Sequence, residues 1–458
     1  MSTVSLQSFG AAETVTGSKH LLRTPEGNIL VDCGLFQGIK SLREQNWLSL
    51  PIPLDEIDAL ILTHAHLDHC GYIPLLVKRG FRGKIYMSRP TEDLTKLILL
   101  DSAKIQEEDA DRANRNHYSK HTPALPLYTI SDAEKSFKQF VTIELDEVIM
   151  LRKNLSFRFK QSGHILGACS VEVTCYSRKI IFSGDIGRVQ SPILPTPDYF
   201  TSADYIIMES TYGDKLHSDK DTAEELADVI NETIEMKGNL LIPSFAVGRA
   251  QELMYLITKL KDSHKIPIHI PVYLDSPMAA QATDITFKYA KFFNIAAIYW
   301  EQVKENVTVN RDFRNTEDII NRKGSKIIIA ASGMLSGGRV LEYLKHYVGD
   351  KRNVILLMGF QAEGTRGRAL QNQAFELKIH GKYYNVNARV REISSLSAHA
   401  DQSELLNWIS KFKKKPHQIM LVHGEPSAQE ALRVKIRDTF SIPVKIMKQN
   451  EDMVLFDV

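Results

Sequence analysis

Hydrophobic and polar positions alternate with period two through the first 35 residues, in VSLQSFGAA, SKHLLRT and NILVDCG, with Gly and a Pro-Glu-Gly triplet punctuating the turns. Successive side chains of an extended chain point to opposite faces, so this texture predicts antiparallel strands. The run IDALILT (57–63) predicts a strand buried on both faces. After it, GYIPLLVKRG (71–80) resumes with helical spacing and a Gly stop. Residues 91–116 carry helical apolar spacing early and solvated charge later. Strands are then expected around VTIELDEVIML (141–151), LSFRFKQSGH, CSVEVTCYS and KIIFSGDIG.

Beyond ADYIIMESTYGD (203–214) the period changes. TAEELADVINETIEMKG reads as an amphipathic helix, NLLIPSF as a strand and GRAQELMYLITKLKDS as a second helix. The alternation continues through IPVYLDS, SKIIIAASGM, GGRVLEYLKHYV and NVILLMGF, the pattern of a parallel α/β module. Strand texture returns at about residue 386, followed by helices in QSELLNWISKF and SAQEALRVKIRDTF.

A chain of 458 residues exceeds the usual size of one hydrophobic core, so two domains, or one with an insertion, are expected. Lys and Arg total 57 against 55 Asp and Glu, which excludes a histone-like basic surface and confines any nucleic-acid contact to a local groove. Cys33, Cys70, Cys169 and Cys175 form no CxxC pair, so they read as reduced, mostly buried thiols rather than disulfides or a thiolate zinc knuckle. With no secretory pattern at the start and no apolar run long enough to cross a bilayer, a cytoplasmic protein without membrane association is expected.

The chemistry concentrates in THAHLDHCG. If Thr63 ends a strand, His64 and His66 lie two apart and project to one side, within reach of a single ion. Asp68 and His69 fall where the chain turns into a helix and are placed to serve a second ion. A dinuclear site needs further ligands. QSGHILGA offers His164, FSGDIG offers Asp185 and IMLVHGE offers His423, each where an apolar run gives way to a Gly-rich turn. Asp185 has two oxygens with which to bridge two ions. Nitrogen and oxygen donors suit zinc, with manganese the main competitor. Asp32 in VDCG fits a carboxylate that orients a ligand histidine.

These motifs resemble the metal motifs of the metallo-β-lactamase fold, which alone leaves open a lactamase, a thioesterase of the glyoxalase II kind or a nuclease. MESTYGD adds Glu209, SSLSAHAD adds His399, and PSFAVGRAQEL, AASGMLSGGR and GFQAEGTRGR fill the α/β block between them. With these the whole chain resembles the β-CASP nucleases, the group that contains the endonuclease subunit of cleavage and polyadenylation specificity factor and its prokaryotic relatives. The resemblance implies an α/β protein: a four-layered αββα metallo-β-lactamase sandwich from residues 1–208 and 386–458, interrupted by an inserted α/β β-CASP domain at 209–385. A cleft between the domains is expected to hold two zinc ions and single-stranded RNA.

By the same likeness, His64, His66 and His164 hold one zinc, Asp68, His69 and His423 the other, and Asp185 bridges them. His399 contacts the scissile phosphate, held by Glu209, and protonates the leaving oxygen; a carboxylate partner favours a protonated imidazole. Asp68, Asp185, Glu209, His399 and Asp32 are thus the expected catalytic group. Ser332 and Arg249 are expected to contact RNA phosphates, while Tyr212 and Phe245 are aromatics that sequence does not place. Ala331 stands where many members of that group have a serine, a departure that puts one such contact in doubt. No N-terminal KH-type domain is expected, so affinity for a particular RNA would be weaker or partner-dependent.

The expected activity is zinc-dependent, endonucleolytic hydrolysis of single-stranded RNA, with assembly as a homodimer left open. The competing readings are a 5′-to-3′ exoribonuclease, a hydrolase of a small thioester or lactam, and a silent RNA-binding scaffold. An inserted domain and a phosphate-directed acid oppose the small substrate. All seven ligands are in place, which opposes the scaffold.

Overall fold

The computed structural model describes Ser2 to Val458 other than Tyr118 and Asp219. It divides into two compact units. The first holds residues up to Val189, Thr196–Leu216 and His399–Val458; the second holds Gln190–Pro195 and His217–Ala398.

The first unit contains two seven-stranded sheets. One runs, in spatial order, Asp452–Asp457, Thr3–Gly10, Lys19–Thr24, Gly27–Val31, Ile57–Ile61, Lys84–Ser88 and Phe140–Ile143. The other runs Val444–Ile446, Gln418–Leu421, Tyr205–Met208, Arg178–Phe182, Cys169–Cys175, Leu155–Gln161 and Ile149–Arg152. Period-two patterning explains how they meet. Leu155, Phe157 and Phe159 pack with Val171 and Val173 of one sheet on Leu22, Ile29, Val31 and Ile61 of the other. Outside, helix Arg89–Arg115 lies against strands Lys84–Ser88 and Phe140–Ile143. Helices Gln402–Ser410 and Pro426–Phe440 cover the far face of the second sheet with Leu405, Trp408, Leu432 and Ile436. This is the αββα layering expected from the sequence.

The second unit is built on a six-stranded sheet in the order Thr308–Asn310, Val272–Asp275, Ile327–Ala330, Leu240–Pro243, Val354–Met358 and Arg389–Ile393, with every pairing parallel. Both faces are covered, which is why strands such as IIIA and VILLM are apolar throughout.

One local expectation is corrected. The run 141–151 is not one strand: Phe140–Ile143 joins the first sheet and Ile149–Arg152 the second, with a turn between them where Asp146 takes φ 60°. The two compact units part at 216/217 and 398/399, whereas the sequence reading placed the insertion at 209–385. Backbone pairing sets both. Tyr212 bridges Asp401 and Gln402 donates to Lys215 and Gly213, holding 209–216 in the first unit, whereas Arg389–Ile393 pairs with Val354–Met358 in the second. The four cysteines are free and buried, and among the described residues no helix is long and apolar enough to cross a membrane.

Candidate metal centre

The site residues leave the sheets at strand ends. Strands Gly27–Val31 and Ile57–Ile61 run parallel, with a register shift between Asn28 and Ile29 and Val31 opposite Ile61, so Asp32 and Thr63 emerge side by side. Gly34 packs so closely that a Cβ there would lie 1.6 Å from the Asp68 carbonyl oxygen, which seats helix Leu67–Cys70 on the loop after Asp32. In the second sheet, strands Arg178–Phe182, Tyr205–Met208 and Gln418–Leu421 are also parallel and deliver Asp185, Glu209 and His423 from one edge. Asp32 at φ 60°, directly after its strand, and His423 at φ 49°, two residues beyond the end of its own, both take the left-handed conformation. His164 rides the turn 162–168, which is pinned where the Gly167 carbonyl accepts from Ser88 Oγ at 2.7 Å and Thr91 Oγ1 at 2.8 Å.

All seven proposed ligands come together. His64, His66, His164 and Asp185 form one set of donors and Asp68, His69 and His423 a second, each with its donor atoms within 4.8 Å of one another. In the first set, His66 Nδ1 lies 3.2 Å from His64 Nε2 and 3.1 Å from His164 Nε2. Asp185 Oδ2 lies 3.4 Å from His64 Nε2 and 3.5 Å from His164 Nε2. In the second, His423 Nε2 is 3.3 Å and His69 Nε2 3.8 Å from Asp68 Oδ2. Asp185 Oδ1 reaches His69 Nε2 at 3.3 Å, so its two oxygens face the two sets.

These distances supply the test of fit. An ion tetrahedrally bound at about 2.0–2.1 Å holds its donors about 3.3–3.4 Å apart, close to the spacings observed. Hydrogen bonding does not account for the first set, because three imidazole nitrogens meeting at one point cannot all be donors and acceptors to each other. Asp185 Oδ1 is buried and accepts no hydrogen bond from the described residues, though it lies within ion-pair distance of His69 Nε2. The donors therefore fit a metal.

In the first set the electrostatics agree. Burial, and then the neighbouring imidazoles, hold His64 well below the ordinary histidine range, and burial pushes His66 down to about 3, leaving neutral rings with lone pairs. For His69 burial opposes the charge, but Asp185, Asp32 and Asp68 outweigh it and raise the ring to about 10. Asp32 Oδ2 lies 2.8 Å from His69 Nδ1.

His399 and Glu209 form a second constellation at the same place. His399 Nδ1 lies 3.2 Å from both Glu209 oxygens, and its Nε2 lies 4.0 Å from Asp185 Oδ2. Glu209 is 1% exposed and accepts the Ile186 N–H at 2.6 Å. Burial works against ionisation of both partners, yet each offsets it for the other, raising His399 and lowering Glu209. Gly187 joins the parts. Its backbone bridges His399, and a Cβ on it would lie 2.0 Å from the Gly163 oxygen, beside His164.

Ser332 and Arg249 belong to the inserted unit. The Ser332 hydroxyl accepts from Ser336 and Gly337 N–H and closes its own loop. Arg249 is buried and paired with Glu252. Phe245 lies against Gly333 in the same unit, whereas the Tyr212 ring stands 6.3 Å from His399. Two residues escaped the sequence reading. Thr63 Oγ1 lies 3.0 Å from His64 Nδ1, and Thr211 Oγ1 lies 3.0 Å from His423 Nδ1. Each threonine stands beside a singled-out residue in THAHLDH or ESTYGD, and that adjacency was the available signal.

Three family models match the chain: the metallo-beta-lactamase superfamily over residues 17–227, the Beta-Casp domain over 250–370, and the Zn-dependent metallo-hydrolase RNA specificity domain over 383–447. A ribonuclease of Thermus thermophilus is 34% identical over 439 residues, covering 93% of this chain and 94% of that one. The transcription termination factor FttA of Methanocaldococcus jannaschii is 32% identical over 444 residues, covering 92% of this chain and 66% of its own. FttA of Methanosarcina mazei is 29% identical over 472 residues, with 99% and 72% covered. The chain thus spans about two thirds of the length of these termination factors. Among solved structures, a protein of unknown function from Enterococcus faecalis is similar in fold, with a TM-score of 0.53 at 12% identity over 99% of this chain and all of that one. With these models and relatives, the chain belongs to the β-CASP family of the metallo-β-lactamase superfamily.

Proposed function

We propose that the protein is a zinc-dependent ribonuclease that hydrolyses phosphodiester bonds within single-stranded RNA. The observation that carries this reading is the juxtaposition of two donor sets sharing Asp185 with a His399–Glu209 pair whose outer nitrogen faces the same carboxylate. His64, His66 and His164 would hold one zinc, Asp68, His69 and His423 the other, and Asp185 both; manganese is the competing metal. Bound there, the ions supply Lewis acidity, making a hydroxide nucleophile available near neutral pH and offsetting the charge of the attacked phosphate.

The remaining work falls to the chain. Asp32 fixes the orientation of His69 through its Nδ1. Glu209, itself anchored by the Ile186 N–H, holds the His399 Nδ1–H. Its Nε2 proton is thereby directed towards the site, where it is given to the departing oxygen. The ribonuclease name of the Thermus relative and the RNA specificity region at 383–447 support RNA as substrate.

Incubation of zinc-loaded protein with 5′- and 3′-labelled single-stranded RNA tests the reading, beside a variant carrying Asp68→Ala and His69→Ala. Internal fragments are expected from the wild type and none from the variant. Mononucleotides released from the 5′ end would instead assign the exonuclease mode. Intact RNA with the wild type, or undiminished cleavage by the variant, overturns the proposal.

A further inference from the structure

Asp32 makes more contacts than the orientation of one histidine requires. Its Oδ1 accepts the Thr63 backbone N–H at 2.8 Å, and its Oδ2 accepts the Thr63 hydroxyl at 2.9 Å as well as His69 Nδ1–H at 2.8 Å. The Thr63 hydroxyl has one proton, and the carboxylate takes it. Turning that proton towards His64 would leave hydroxyl lone pairs facing a carboxylate at hydrogen-bond distance. Thr63 Oγ1 therefore meets His64 Nδ1, 3.0 Å away, as an acceptor. That leaves the His64 proton on Nδ1 and its lone pair on Nε2, the atom 3.2 Å from His66 Nδ1 and 3.4 Å from Asp185 Oδ2.

The contacts close a ring running from Asp32 through His69, Asp185, His64 and Thr63 back to Asp32. His69 belongs to one donor set and His64 to the other. We infer that Thr63 is a positioning residue through which Asp32 sets the ligand tautomer of His64 as well as His69, so that one carboxylate outside both sets orients an imidazole in each. The inference rests on the proposed ligand sets. Thr63 is 1% exposed, and valine preserves its branched shape while removing only the hydroxyl.

The test uses full-length protein stripped of metal and titrated with zinc against a chromophoric chelator, then with cobalt(II) followed by its visible absorption. Wild type is expected to bind two ions. Thr63→Val is expected to weaken one of the two steps by about 10–100-fold, the range for loss of a partner to a metal-ligating histidine, and to change the cobalt spectrum of that step. Asp32→Asn is expected to weaken both. Thr63→Ser, which keeps the hydroxyl, restores the wild-type titration, as a merely space-filling role would not predict. Equal thermal midpoints of the metal-free wild type and Thr63→Val separate tautomer control from misfolding. Two unaltered steps in Thr63→Val, or only one weakened in Asp32→Asn, overturn the inference. Fewer than two ions on the wild type overturn the ligand reading beneath it.

Discussion

Removing His399 gives the most exacting test of the proposed chemistry. His399→Ala deletes a donor whose Nδ1 is held by Glu209 at 3.2 Å and whose Nε2 lies 4.0 Å from Asp185 Oδ2, and leaves the seven proposed ligands in place. A positioned general acid contributes roughly 10²–10⁴-fold, or about 2.7–5.4 kcal/mol of barrier at 1.36 kcal/mol per decade. The expected result on ordinary RNA is a fall in kcat of that size with zinc content unchanged. The leaving group then separates acid catalysis from phosphate contact. An RNA whose departing bridging oxygen is replaced by sulfur expels a thiolate, whose conjugate acid has a pKa of about 8.5, and needs little help from a proton. On that substrate the defect of His399→Ala is expected to shrink to about tenfold or less. Placing sulfur at the 3′ and then the 5′ bridging position identifies which bond breaks, since only sulfur at the departing atom relieves the defect. Equal losses on the oxygen substrate and both sulfur substrates would refute the acid role.

The shared carboxylate gives a second prediction: Asp185→Ala should lower zinc content, measured by elemental analysis, in both donor sets at once, and loss of a single equivalent would contradict bridging. Gly187→Ala should cost about 1–3 kcal/mol in a denaturant titration, because the new Cβ meets the Gly163 backbone at 2.0 Å; cleavage should fall with it, and wild-type values in both assays would refute the close packing. In the inserted unit, Asp275 is fully buried between Arg339 at 2.5 Å, Tyr343 at 2.5 Å and Thr316 at 2.9 Å. Asp275→Asn, which leaves the Arg339 charge uncompensated, should cost about 3–5 kcal/mol, read as a lowered unfolding midpoint. Lys19 is 2% exposed beneath Phe36 and Tyr72, and burial lowers it to about 8. Between that value and its ordinary 10.5 the unfolded chain binds more protons, so stability relative to Lys19→Met should rise with pH across this window, by about 3 kcal/mol at most; a pH-independent difference would refute the assignment.

What made the candidate site legible was its position. A buried strand shows as an apolar run, and His64, His164, Asp185, Glu209 and His423 each interrupt or follow one, so their exit from a sheet was readable without knowing which strands were neighbours. The layering came with the family resemblance; period alone marks one inward face, Leu155, Phe157 and Phe159. The unread parts depend on tertiary pairing. Strand Arg389–Ile393 carries two arginines and a glutamate, with only Ile393 buried, so nothing local assigned it to the parallel sheet. Arg249 stands three residues before Glu252 on one helix, a spacing that brings two side chains together, yet whether such a pair is buried depends on what packs over it. Thr63 is the sharpest case. Its partner Asp32 lies 31 residues earlier and is adjacent only because two parallel strands pair with Val31 opposite Ile61. A ligand can be recognised from its own residue type and its place at the end of a strand, but a residue that orients a ligand is defined by a hydrogen bond. Sequence therefore exposes which side chains meet at the candidate site before it exposes what aims them.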